Sequence, residues 1–496
     1  KTSSVAVTQK GKTITGKVTE ANGNPLPGVT IVVKGTANGV ITDINGQYTL
    51  SGLAASDILA FSFVGMKSQE IMVAQKTRID IVMQEDAIGL EEVVAIGYGV
   101  ARKSDLTGSI TQVKSEDLAV VSGSNPIQAL QGRATGVAVM TSNDPGSSPT
   151  LRIRGTGSID ASNDPLYVVD GFPLMDGNLN SVNPADIASI EILKDASSTA
   201  IYGSRGANGV ILITTKSGKK GKNDLSFSAY FGIQKPARYQ DFIQRNDFID
   251  FINEAYTYSG ATDVYTSDSP APSGVDTNWE REIIKSSAPI QDYSISFTGG
   301  TEKTSYMLSG GVFIQDGLIE SSGFDRYNAR VNLNHDFNNW LTVGTHMQAS
   351  RSERNNRDNA TGNISRWGWP TTPVKNSDGS WYYASFDSQV SSYMENVWNP
   401  VADGSEKKDE TITDRLTGDV YAKISPIKNV TIKTNLGVDI SNAKNYQYST
   451  SLSAENYSNG TGSGGQSYFR QTTKLTETIL TYSNIWTDIH RLTATG

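Results

Sequence analysis

The stretch Asn328-Ala-Arg-Val-Asn-Leu-Asn-His-Asp-Phe337 puts Ala329, Val331, Leu333 and Phe337 on one side of an extended chain. Asn328, Arg330, Asn332 and Asn334 fall on the other. Side chains alternate across a strand, so the stretch predicts a strand with one apolar and one wet face. The same pattern recurs nearby. Residues 306–314 align Tyr306, Leu308, Gly310, Val312 and Ile314, while 341–349 set Leu341, Val343 and Met347 against Thr342, His346 and Gln348. Residues 416–424 and 430–440 repeat it. Segments of about ten residues are the length that crosses a bilayer obliquely. A soluble sandwich alternates in the same way, so the weight lies on the repetition across residues 220–496. The polar face is rich in Asn, Thr and Arg, as a wet lumen requires. Tyr293, Tyr327, Trp340 and Trp486 are expected near strand ends, where aromatic girdles sit. Two excursions interrupt the pattern, residues 239–258 with helical spacing and 355–410 rich in polar and aromatic residues. Both are expected outside the membrane.

Composition agrees with strands. The 496 residues are 37% hydrophobic and 19% charged, with 47 Gly and 21 Tyr, and no run approaches the roughly 18 apolar residues of a spanning helix. With no cysteine, there is neither a disulfide framework nor thiolate chemistry. His335, His346 and His490 have no ligand spacing and read as surface or lumen residues, so no metal or other cofactor is expected. A net charge of −8 argues against a nucleic-acid partner. The polar start Lys1-Thr-Ser-Ser, part of a leader over residues 1–11, reads as a mature N-terminus after signal-peptide removal.

Moving towards the N-terminus, residues 101–219 mix short strands with short helices. Strands are expected at 137–141, 151–154, 166–169, 187–193 and 210–215, and helices at 124–131 and 196–202. Gly203-Ser-Arg-Gly-Ala-Asn-Gly209 lacks the Gly-Lys-Ser/Thr ending of a phosphate loop, so its glycines are read as a tight turn. Residues 85–100 differ in kind: an acidic lead, the β-branched run Val93-Val94-Ala95-Ile96, then glycines. On its own physics this is a linker strand, or a segment that pairs with another protein's sheet edge. Residues 12–84 carry short strands around Asn22-Gly-Asn-Pro25 and Asn45-Gly46, the latter a two-residue hairpin signal, and predict a small sandwich.

The runs Gly16-Lys-Val-Thr-Glu-Ala-Asn-Gly-Asn-Pro-Leu-Pro-Gly28 and Thr42-Asp-Ile-Asn-Gly-Gln-Tyr48 make that sandwich resemble the carboxypeptidase-regulatory-like domain. It lacks the His and Glu set of a zinc peptidase. Further motifs are Leu106-Thr-Gly-Ser-Ile110, Ala129-Leu-Gln-Gly-Arg133, Ile153-Arg-Gly155 and Pro165-Leu-Tyr-Val-Val-Asp-Gly171. Ile190-Glu-Ile-Leu-Lys-Asp-Ala196 and the run from Ile201 to Lys216 complete the set. With these the whole chain resembles the SusC/RagA-like TonB-dependent outer-membrane transporters of Bacteroidetes. The resemblance implies a mainly β protein: the N-terminal sandwich, a mixed α/β plug domain, and the first part of a transmembrane β-barrel with 22 strands in the complete protein. It implies import of an oligosaccharide or peptide, a SusD-like surface lipoprotein as lid, and outer-membrane lipid around the barrel. It also makes Glu91, Glu92, Val93, Val94, Ala95, Ile96, Gly97, Tyr98 and Gly99 the TonB box, with box and sandwich in the periplasm. Residues 220–496 supply nine or ten strands, so the chain is expected to be the N-terminal portion of a longer protein, since an open barrel edge in lipid is costly.

Three functions are weighed. Energised nutrient import leads. A β-sandwich adhesin would need no coupling strand and would dissolve without detergent. A glycoside hydrolase would need two placed carboxylates, and nothing in the sequence places a pair. Arg152 and Arg154 alternate on a plug strand and are candidates for contact with barrel carboxylates, against a solvated strand face. Trp367, Trp369 and Trp381 are candidates for stacking on substrate, against loop anchoring by burial.

Overall fold

The computed structural model describes residues 11–20, 23–34, 36, 38–63, 66–84, 93–96, 99–102, 110–118, 123–142, 144–260, 274–357, 369–383, 399–453, 455–486 and 490–496. The chain divides into two compact units, the N-terminal sandwich and nearly everything after it.

In the first unit, β1 (Lys12–Glu20), β4 (Gln47–Leu53) and β7 (Ile81–Met83) form a sheet of order β4-β1-β7. A second sheet has order β3-β2-β5-β6, from β2 (Thr30–Val33), β3 (Gly39–Ile41), β5 (Ile58–Ser62) and β6 (Gln69–Met72). Their inner faces bury Ile14, Val18, Ile31, Leu50, Leu59, Phe61 and Ile81 as one core, the alternation expected of a sandwich. One expectation changes here. Asn45-Gly46 turns the chain, with Gly46 at φ 72°, yet it does not close a hairpin. The strands before and after it, β3 and β4, lie in different sheets. The Asp43 carboxylate holds the turn by accepting from the Asn45 and Gln47 amides, at 2.9 and 2.8 Å. An Asx turn can therefore carry the chain across the sandwich without strand pairing.

After the sandwich in sequence come β8 (Val93–Ile96) and β9 (Gly99–Arg102), which pair with each other. An inner domain follows. Its five-stranded sheet has order β10-β15-β16-β13-β14, and a hairpin β11-β12 stands beside it. The strands are β10 (Ile110–Lys114), β11 (Val137–Met140), β12 (Thr150–Ile153), β13 (Leu166–Val169), β14 (Phe172–Leu174), β15 (Ile187–Leu193) and β16 (Val210–Thr215). β16 is central and buried on both faces, which explains its continuous apolar run. The helix expected at 124–131 is a 3-10 turn, Pro126–Leu130, capped by the Asn125 side chain on the Ile127 amide.

Around this domain runs a nine-stranded antiparallel sheet in sequence order, β17 (Asp224–Gln234), β18 (Ala288–Gly300), β19 (Thr304–Asp316), β20 (Gly323–Asp336), β21 (Leu341–Asn355), β22 (Lys407–Ile427), β23 (Val430–Ser449), β24 (Ser463–Trp486) and β25 (His490–Thr495). Its burial is the reverse of a soluble sheet. On β20 the polar side chains Arg326, Asn328, Arg330 and Asn332 are buried against the inner domain, while Val331 and Leu333 are 41% and 40% exposed. The same inversion leaves Phe227, Ile295, Leu308, Met347, Leu416, Val420 and Leu436 outside. Only a lipid solvent makes that arrangement favourable across a whole sheet.

Short turns join β18 to β19, β20 to β21 and β22 to β23 at one rim; the long connections lie at the other. Strands of about ten residues were expected, but β22, β23 and β24 have 21, 20 and 24. They continue past the bilayer as stems, because hairpin pairing persists in water once it is established. Tyr293 and Tyr327 stand within β18 and β20, whereas Trp340 immediately precedes β21 and Trp486 ends β24. The expected helical excursion contains a helix at Arg245–Tyr258, and the second excursion ends before β22 begins at Lys407.

Candidate functional site

The chemistry concentrates where the inner domain meets the barrel wall. Its main cluster is built by a turn. Val169 pairs with Phe172, leaving Asp170-Gly171 as a two-residue hairpin loop with φ values of 50° and 90°. That is the twist of a type I′ turn, which Asp-Gly accommodates. The turn presents the Asp170 carboxylate to the wall. It accepts from the Thr215 amide and hydroxyl, each at 2.8 Å, and from Arg330 Nη1 of β20 at 2.9 Å. Both ion-pair partners are almost fully buried. Gln348 of β21 also accepts from Arg330 and donates to the Ser181 carbonyl at 2.6 Å. Asn332 donates to Thr215 Oγ1 and the Lys216 carbonyl, both at 2.8 Å. Asp186 lies 4.0 Å from Arg330 Nε, and burial pushes its carboxyl above the usual carboxylate range.

Two further arginines from the wall grip the inner domain. Arg326, 0% exposed, donates to the Ser124 carbonyl at 2.6 Å, with the Phe313 ring beneath its guanidinium. Arg415 of β22 is shared. It makes a bidentate pair with Asp439 of β23 at 2.8 and 2.7 Å, and reaches Asp176 of the inner domain at 2.9 and 3.0 Å. Planar guanidinium forks suit such double recognition. Part of the apolar seat is Phe172 on Gly437. A Cβ at Gly437 would lie 2.6 Å from the Phe172 ring. The inner domain is thus held by buried, hydrogen-bonded charge and a few close packing contacts, Gly146 on Phe324 among them. Such an interface is specific in geometry and gains less from burial than an apolar core would.

Residues 102–210 match the TonB-dependent receptor plug domain, and residues 14–95 match the CarboxypepD_reg-like domain. TonB-dependent receptor P26 of Formosa agariphila is 38% identical over 491 residues, 97% of this chain and 48% of that protein. TonB-dependent receptor SusC of Bacteroides thetaiotaomicron is 38% identical over 331 residues, 65% of this chain and 32% of that one.

The chain belongs to the SusC-like TonB-dependent receptors.

The solved structure of the RagAB peptide transporter superposes on this receptor chain with a TM-score of 0.68 at 28% identity, covering 79% of this chain and 47% of the other. Our chain spans about half the length of the curated relatives it matches. The inner domain of this SusC-like receptor is its plug, and the nine strands are part of its barrel.

Among the described residues, the arginines singled out in the sequence pair within the plug. Arg152 pairs with Asp164, holding that carboxyl below the usual range, and Arg154 pairs with Asp195 at 2.6 Å. Both partners are plug residues. Arg154 also follows the end of β12 with φ 58°, so the two do not share a strand face. Carboxylates close in the fold satisfied them first. Arg326, Arg330 and Arg415 make plug–barrel contacts that the sequence reading did not name, and the outward alternation of β20 and β22 was the signal that could have found them. They are arginines on the lumen face of apolar-outward strands.

Of the residues expected to form a TonB box, Glu91, Glu92, Gly97 and Tyr98 lie outside the described residues. Val93, Val94, Ala95 and Ile96 form β8, and Gly99 opens β9. Trp367 also lies outside them. Trp369 stacks edge-on against Phe248 at 4.9 Å, and its carbonyl accepts from Trp279 Nε1. Trp381 donates to Glu406 at 2.8 Å and carries the Lys375 ammonium over its ring. These contacts lie within the connections at the long-loop rim, the geometry of loop anchoring.

Proposed function

We propose that the complete receptor imports an oligosaccharide or peptide across the outer membrane, driven by TonB pulling on residues 91–99. The observation that carries this reading is the plug's seat. A domain held by a few buried ion pairs and carbonyl contacts inside a lipid-facing wall can be released by force without unfolding the wall. The extended backbone of β8 has the form that added-strand pairing requires. The short-turn rim would face the periplasm, along with the sandwich and the box, and the long connections would meet a SusD-like lipoprotein and substrate outside. Support for a peptide as cargo comes from the likeness to the RagAB peptide transporter.

Deleting residues 91–99 from the complete receptor tests the reading. Barrel assembly and surface display should persist while uptake of the cognate nutrient stops. Uptake at the wild-type rate would place the coupling site elsewhere.

A further inference from the structure

The plug sheet buries one acid that the seat does not use. Glu191 stands on β15, 1% exposed, in a register row that runs from Gln112 of β10 through Glu191 to Leu212 of β16 and Val168 of β13. Side chains of such a row share one face of the sheet. On that face Val168, Leu193, Val210 and Leu212 form an apolar cluster, with Ile110, Leu166 and the Tyr202 ring packed against it.

The cations of the surrounding elements are engaged or placed elsewhere. Lys194 donates to Thr111 Oγ1 at 2.7 Å, on the opposite side of β10 from Gln112. Lys114 is exposed and pairs in register with Ser189, two residues along from Glu191. Arg205, in the turn Ala200–Gly206 that carries Tyr202, reaches the Met175 sulfur. Strands β13 and β16 bring no charge to this face. Burial pushes the Glu191 carboxyl above the usual range, against the opposing influence of Ser189 and Gln112.

Gln112 Nε2 donates to Glu191 Oε1 at 2.8 Å. The remaining oxygens of the pair, Gln112 Oε1 and Glu191 Oε2, are buried, and neither has a hydrogen-bond partner among the described residues. Two unmade acceptors in one buried pair are costly. Both are acceptors only while Glu191 is a carboxylate. A proton on Oε2 makes it a donor, and the amide oxygen of Gln112 is the acceptor it needs.

We infer that Glu191 is a neutral carboxylic acid in the folded plug, bonded twice to the Gln112 amide, and that this proton latches β10 to the sheet. Among the described residues β10 is an edge strand that pairs with β15 alone, and Gln112 is its central residue. The docked strand holds the proton more tightly than the free chain does. Docking is therefore fullest in acid and weakens as pH rises above the ordinary glutamate value of about 4.3. It levels off once pH passes the raised value. If TonB pulls residues 91–99 as proposed above, β10 is the first strand of the plug sheet along the pulled chain. The latch itself does not depend on that reading, and its test uses neither TonB nor cargo.

The complete receptor is compared with Glu191→Gln by difference infrared spectroscopy at about pH 6, where a free glutamate is ionised. The wild type should show the carbonyl stretch of a protonated carboxylic acid that the variant lacks. Hydrogen exchange then follows the amides of residues 110–114 as protection factors. Wild-type protection should fall by up to about tenfold per pH unit on the alkaline side, over the range in which the infrared band fades. Glu191→Gln replaces the acid by an amide that needs no proton, so its protection should stay within threefold across that range. Gln112→Leu removes the partner; it should shift the acid band and lower β10 protection about tenfold, leaving residues 210–215 unchanged. This variant keeps the test open if Glu191→Gln fails to assemble. A carboxylate band for Glu191 at pH 6 overturns the proposal, as it would if water bridged the two oxygens instead. An acid band that Gln112→Leu does not shift overturns it too, as does an equal alkaline loss of β10 protection in wild type and Glu191→Gln.

Discussion

Asp170→Asn removes one charge from the plug's seat while keeping the shape of the turn that carries it. Asparagine tolerates the positive φ of 50° at this position, so the hairpin between β13 and β14 should survive. The Thr215 amide and hydroxyl keep one acceptor between them, and Arg330 loses its carboxylate at 2.9 Å. Removing one partner of a buried ion pair costs about 3–5 kcal/mol. Arg330 retains Gln348 and has Asp186 at 4.0 Å, which argues for the low end, about 3 kcal/mol, or about 100-fold in the plug's opening equilibrium. Hydrogen exchange on the complete receptor reads this directly. Amides of residues 166–174 and of Thr215 should exchange about 100-fold faster in Asp170→Asn, while those of β20–β23 remain unchanged, since opening is local to the weakened unit. Acceleration under threefold would refute the claim that the Asp170–Arg330 pair holds the plug. Equal acceleration in the barrel strands would show that the substitution damages the whole fold instead.

Gly437→Val should unseat Phe172, because its Cβ would lie 2.6 Å from that ring. Overpacking of this kind costs about 1–3 kcal/mol. The same exchange assay should show loss of protection at β14, relieved when Phe172→Ala is added; no rescue in the double variant would place the clash elsewhere. In the sandwich, the Asp80 carboxylate accepts from Arg78 Nε and from the Lys17 amide at 2.8 Å, and the Arg78 bond chiefly holds its pKa below the ordinary value. A lowered pKa means the bound proton is favoured in the unfolded chain. The carboxylate's contribution is therefore present above pH about 4 and lost as pH falls through the native value. Asp80→Asn should lower stability by at most about 1 kcal/mol at pH 7, as exposed pairs do, with the difference from wild type closing as pH falls through the lowered native pKa. A gap that persists in acid, measured by chemical denaturation, would count against the charge as its cause.

Alternation alone carried the architecture. Strands β19–β23 could be read from the period of two, and the direction of the apolar face could be read as outward because the polar face was too wet for a soluble core. The sandwich was legible from its short β-branched runs and turn residues, as was β16 from its unbroken apolar run. Local pattern suffices for these because each rests on a solvent preference that every strand expresses by itself. The stems of β22–β24 were not legible. Their outward residues turn polar above the bilayer while the backbone stays paired, so hydropathy stops marking the strand.

The seat lay further out of reach. Asp170-Gly171 is a hairpin signal, but the strand it opens, Phe172–Leu174, is too short to declare itself. Arg152, Arg154, Arg330 and Arg415 are alike as letters. Which of them clamps the plug depends on which carboxylates come within about 3 Å, and those arrive from residues up to 239 positions away. The sequence, through its periodicities, determined a small sandwich, a mixed α/β domain and strands with one apolar and one wet face, and through its motifs the resemblance that made the mixed domain a plug. Only the tertiary structure decided which charges face one another across the plug's seat, because pairing is a matter of distance in space.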